Sequence, residues 1–165
     1  MKRRSRRILT AFLLIALAAG AACRRADSQA QVQEAVRDYF DSLNRADPTG
    51  IMERFSHKAE TTSVLEGEIL RGWEAIRDET DRMAGTAGEE VWAPGTMEVV
   101  FLGEDHALVV LPVNVTLSFG MGREDLAGAA TLVLERRAGV WKVLHEHRSL
   151  QHDDYDTSEG DTSRS

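Results

Sequence analysis

Between Val32 and Leu43 the apolar residues Val32, Ala35, Val36, Tyr39, Phe40 and Leu43 recur at spacings of three and four. That period lines one face of a helix, and it predicts an amphipathic helix from about Ser28 to Arg45. Asp47-Pro48 then supplies a side-chain acceptor followed by a residue suited to the first helical position, so a short second helix is expected through Phe55. The segment 59–70 carries Thr61, Thr62, Ser63, Val64 and Ile69 around Glu66-Gly67, which predicts two short strands, or a strand and a turn. Trp73, Ile76 and Met83, with charges between them, predict a third helix over Gly72 to Met83 closed by Gly85. A loop rich in Gly, Thr and Ala is expected from there through Pro94-Gly95.

The second half changes period from helical to alternating. Thr96 to Leu102, His106 to Phe119, Asp125 to Arg137 and Val140 to Leu150 read as strands separated by short glycine-containing turns, which join neighbours into antiparallel hairpins. In the second run Ala107, Val109, Leu111, Val113, Val115, Leu117 and Phe119 share one face, opposite His106, Asn114, Thr116 and Ser118. Helices first and a strand meander after is the α+β order: three N-terminal helices packed on a strongly curved antiparallel sheet.

The N-terminus has a different character. Lys2 to Arg7 is basic, Ile8 to Ala22 is an almost unbroken apolar run, and Gly20, Ala21 and Ala22 precede Cys23. The run is short for a membrane span and reads as a cleaved export signal. Cys23 is the single cysteine of the chain, which excludes an internal disulfide. The chain has 27 acidic and 20 basic residues, a net charge of −7; losing the five basic residues before Cys23 leaves −7 − 5 = −12. So acidic a surface repels phosphate backbones, and nucleic acid is excluded as a partner.

Two resemblances give these pieces a context. Ala19-Gly20-Ala21-Ala22-Cys23 resembles a bacterial lipobox, which implies lipid on Cys23, attachment to a bacterial membrane and a place in the cell envelope outside the cytoplasm. Ala46-Asp47-Pro48 through Phe55-Ser56, Gly67 with Gly72-Trp73-Glu74-Ala75-Ile76-Arg77, and the ending Gly139-Val140-Trp141-Lys142-Val143-Leu144-His145-Glu146-His147-Arg148-Ser149 resemble the nuclear transport factor 2-like, or SnoaL-like, superfamily. That likeness implies a cystatin-like cone of bent sheet closed by three helices, with a pocket between sheet and helices. The expected organisation is a signal peptide at 1–22, a tether at 23–29, a SnoaL-like domain at 30–151 and a disordered acidic tail at 152–165.

Strict alternation along the last strand sends Trp141, Val143, His145, His147 and Ser149 to one face and Lys142, Leu144, Glu146 and Arg148 to the other. With the tryptophan face inward, the pocket is expected to be lined by Tyr39, Trp73, Trp141, His145 and His147. Zinc requires a third ligand that His145-x-His147 does not bring with it, so no metal and no cofactor is expected. The inward faces of the strands offer no carboxylate base, and the expected function is a noncatalytic domain that binds a small molecule or serves as a dimeric module. The alternative is a cofactor-independent acid–base isomerase, lyase or hydrolase acting on a small organic substrate, with His147 as base and Tyr39 or His145 as donor. Asn114, Thr116 and Ser118 on the outer face mark the expected homodimer surface.

Overall fold

The computed structural model describes residues 25–84 and 89–151. The expected signal peptide, Cys23 and the expected tail at 152–165 lie outside them. Helix α1 spans residues 25–44, α2 Pro48–Arg54 and α3 Trp73–Ala84. The strands are β1 (Thr62–Leu65), β2 (Glu68–Arg71), β3 (Glu89–Pro94), β4 (Glu98–Phe101), β5 (His106–Phe119), β6 (Gly122–Arg137) and β7 (Val140–Leu150). This is the expected α+β architecture.

Local chemistry sets the helices. In α1 the predicted stripe is the buried one: Val32, Val36, Tyr39 and Phe40 are fully buried, with Ala35 and Leu43 packed against the same core. Asp47 caps α2 by accepting a hydrogen bond from the Gly50 amide at 2.9 Å, with Pro48 at the first helical position. Residues 25–29, expected as a tether, are instead helical. The stretch from Arg25 to Gln31 has no glycine, proline or β-branched residue to resist α1, and the Arg25 guanidinium lies over the Phe101 ring.

The sheet runs β2-β1-β7-β6-β5-β3, with β4 also on β5. It is mostly antiparallel; the exception is β1, which returns beside β7 in parallel. Strands β3 and β4 share one edge of β5, β3 on Val113 to Ser118 and β4 on Ala107 to Val110. The whole of β3 falls where a loop was expected: Pro94 stands at its end, where a missing amide costs no ladder bond, and Trp92 pairs with Val115 to bury its ring. Glu66-Gly67 and Ala138-Gly139 both adopt positive φ at successive residues, the geometry of two-residue hairpin turns that suits the twist of the flanking strands.

The core lies between the helices and the inner sheet face, where Ala107, Val109, Leu111, Val113 and Val115 of β5 meet Ala130, Leu132 and Leu134 of β6. On the opposite face, Glu135 is buried although charged. The Ser56 hydroxyl and the Lys58 ammonium both donate to it, and Arg137 Nε approaches at 3.3 Å. Burial opposes its charge, but the hydrogen bonds from Lys58 and Ser56 prevail and hold its carboxyl below the usual range. A carboxylate whose folded value lies below an unfolded value of about 4.3 stabilises fully above that pH, and the gain is lost as pH falls through the folded value. Glu135→Gln should therefore cost about 1–3 kcal/mol at pH 7, and urea denaturation repeated at pH 3 should show the gap from wild type narrowing.

Candidate functional site

Strict alternation fails in β7 at one place. On β6 the step from Val133 to Leu134 faces His145 and Val143, so Leu144 is an extra residue with no partner, a β-bulge. Trp141 and Val143 point inward before it; Glu146 and Arg148 point inward after it, and both are buried. The imidazoles consequently face outward. His147 is exposed, and His145 is half-buried with its Nδ1 2.7 Å from Thr62 Oγ1. Burial, followed by the neighbouring His147, lowers the His145 pKa.

The inward pair sits at the deep end of a cavity of about 400 Å³. Its apolar wall includes Leu43 of α1, Ile51 of α2, Phe55, Leu70 of β2, and Ile76 and Met83 of α3. Tyr39 from α1 donates to Glu146 Oε2, and Ser63 from β1 donates to Glu146 Oε1 at 2.6 Å. Arg148 Nη2 reaches Glu146 Oε1 at 3.4 Å, and its Nε lies 3.3 Å from Oε2 without hydrogen-bond alignment. The guanidinium stacks over Trp92 at 4.9 Å, and the Trp92 indole points to Glu90 at 3.3 Å.

Electrostatically this is a closed group. Burial raises the Tyr39 pKa well above its ordinary value; Arg148 partly offsets the rise, and Glu146 adds to it. The phenol stays protonated and serves as a donor. Burial works against the charge of Arg148, but Glu146, Tyr39 and Glu90 together raise its pKa. Toward solvent, the partly or fully exposed Glu68, Glu79, Glu90 and Arg45 form the rim.

Of the residues expected around the pocket, Tyr39 alone lines this cavity. The bulge turns His145 and His147 away. Trp141 is buried at the other end of the core, 6.2 Å from Phe101. Trp73 is half-buried outside the cavity, its ring 4.3 Å from His57 and under Arg77. The expected absence of an inward carboxylate is overturned by Glu146. Glu146 and Arg148 were missed because strict alternation put them on the outer face and the bulge reverses it; Trp92 was missed because β3 was expected to be a loop, and Ser63 because the parallel pairing of β1 with β7 was not foreseen. Among the described residues, no group of three His, Cys, Asp or Glu side chains could hold a metal ion.

Comparison with known proteins bears on this geometry. Residues 32–153 match the SnoaL-like domain. The chain belongs to the SnoaL-like domain family. Among curated proteins no match is found. The fold is similar to that of a proposed dehydratase of the NTF2-like family from Streptomyces avermitilis, with a TM-score of 0.71 and 17% identity over 76% of this chain and 97% of that one. It is similar to a proposed scytalone dehydratase from Novosphingobium aromaticivorans, TM-score 0.69 and 16% identity over 78% and 87% of the two chains. An NTF2-like superfamily protein from Salmonella enterica serovar Typhimurium gives 0.69 and 19% over 82% and 99%. At these identities the likeness establishes the fold and not the activity.

The SnoaL-like cavity contains an ion pair whose two halves are mutually dependent. Glu146→Leu alone leaves the Arg148 charge buried without compensation and should cost about 3–5 kcal/mol, whereas adding Arg148→Met should recover most of that loss. Equilibrium unfolding in urea of the single and double variants measures both.

Proposed function

We propose that this protein is an extracytoplasmic, lipid-anchored SnoaL-like domain that binds an uncharged, mainly apolar small molecule, without catalysis. The observation that carries the reading is the Arg148 guanidinium, 9% exposed on the wall of a mainly apolar cavity of about 400 Å³. It would receive an acceptor oxygen of the ligand, a carbonyl above all. Glu146 already balances its charge, and Glu68, Glu79 and Glu90 at the rim disfavour an anion. Glu146 is a poor general base in this setting, because Tyr39, Ser63 and Arg148 already engage both of its oxygens.

A second reading, an acid–base enzyme on a small organic substrate, is favoured by the same Tyr39–Glu146 contact inside a cavity and by the names of two structural relatives as dehydratases. It requires substrate to displace Arg148 or Ser63 from the carboxylate. The lipid reading rests on the residues preceding Cys23, and a homodimer is supported by Val91, Val100 and Val110, which leave apolar surface on the outer face of β3, β4 and β5.

Changing Cys23→Ala should move the full chain from the membrane fraction to the soluble fraction. That soluble chain should sediment as a dimer. Titrated with the uncharged carbonyl fluorophore 6-propionyl-2-(dimethylamino)naphthalene, it should show saturable one-to-one binding, with the anionic 1-anilinonaphthalene-8-sulfonate at least tenfold weaker. Thr80→Trp, which fills the cavity from α3, should abolish the signal, and the Glu146→Leu/Arg148→Met pair should weaken it about tenfold, the equivalent of roughly one charge-assisted hydrogen bond. Equal binding of the two dyes, or binding indifferent to Thr80→Trp, would sink the reading.

A further inference from the structure

Residue 25 is already helical and stands two positions after Cys23. Two residues reach at most about 7 Å. A lipid on Cys23 would thus hold the first turn of α1 at the bilayer surface, with no slack for the domain to stand away. The β4–β5 turn (102–105) and the β6–β7 turn (138–139) form the same end of the molecule. Arg25 lies 5.7 Å over Phe101, and Arg136 donates to the Glu104 carbonyl at 3.0 Å and pairs with Asp105 at 3.0 Å. An open groove of about 890 Å³ runs between α1 and these turns, bordered by Arg25, Asp27, Gln31, Phe101, Glu104 and Arg136. Leu102 and Val140 are 52% and 51% exposed there.

We propose that this end is a membrane-contact face whose partner is the phospholipid headgroup surface, with Leu102 and Val140 set into the interface and the arginine side chains reaching the phosphates. The inference rests on the reading of Cys23 as the lipid anchor. The cavity mouth, with Glu68, Glu79, Glu90 and Arg45, lies at the other end. The two ends are separated by α1, whose 20 residues span about 30 Å. Leu43, Asn44 and Arg45 at its far end line the cavity, so the mouth opens away from the bilayer and its ligand arrives from the aqueous side.

The test uses the full-length lipidated chain in phosphatidylcholine–phosphatidylglycerol vesicles. Because lipid on Cys23 removes the single native thiol, a bimane label can be placed at Leu102→Cys or Val140→Cys, and at Ile69→Cys or Met121→Cys on the opposite end. Quenching by doxyl-labelled phosphatidylcholine should be at least threefold stronger at positions 102 and 140 than at 69 and 121. Membrane-held protein quenched equally at both ends, or more strongly at 69 and 121, overturns the orientation alone. A wild-type chain that stays soluble and reacts with maleimide at Cys23 overturns the lipid reading and this inference together.

Discussion

Leu144 adds one residue to β7 where β6 takes a single step from Val133 to Leu134, and each β7 side chain beyond it changes faces. The chemistry of the cavity depends on that insertion. Without it, the two imidazoles would point at Tyr39, and Glu146 and Arg148 would face outward. A strand cannot change which residues it buries by gradual distortion, because its side-chain period is two; only an odd insertion does so. The bulge also marks a division of β7 into two functions. Trp141 and Val143 complete the apolar core, and Glu146 and Arg148 are, among the described residues, the charged groups buried on the inner face.

Enclosing those charges is costly, and their arrangement shows how the cost is met. The carboxylate is engaged by a phenol, a serine hydroxyl and the guanidinium, and the guanidinium has the carboxylate beside it and an indole face above it. Such a group contributes little to net stability compared with an apolar replacement of the same volume, since desolvation consumes most of the Coulombic gain. Its value lies in geometry: it fixes α1, β1, β3 and β7 relative to one another at one point, with the guanidinium on the cavity wall.

Much of this was legible in the residues. The three-and-four spacing of α1, the Asp47-Pro48 start of α2 and the alternation of β5 each report a local period, and local periods survive into the structure because the core rewards them. The endings of β5, β6 and β7 were legible for the same reason. What escaped was non-local. Nothing between Gly85 and Gly95 shows a period strong enough to declare β3, which exists because the edge of β5 offers Trp92 a place against Phe40 and Arg148. Leu144 has no composition that distinguishes a bulge residue, and the parallel return of β1 beside β7, which brings Ser63 to Glu146, is a matter of topology rather than of spacing. Tyr39 lies on a helix, where the period does not slip, and it lines the cavity.

The distribution of polar groups around the cavity also explains how stability and chemistry are kept apart. The long β5–β6 hairpin supplies an inner face of Ala, Val and Leu from Ala107 to Val115 and from Ala130 to Leu134, and it needs no polar side chain to hold together. Every buried polar group of the cavity comes from elements laid on or beside that hairpin: α1, β1, β3 and the post-bulge half of β7. Substitution at those few positions can therefore change the chemistry of the cavity while the hairpin and the α1 stripe go on burying the same apolar surface. That is a physical reason why the fold of this chain constrains the chemistry of its cavity far less than Glu146, Arg148 and the acidic rim do.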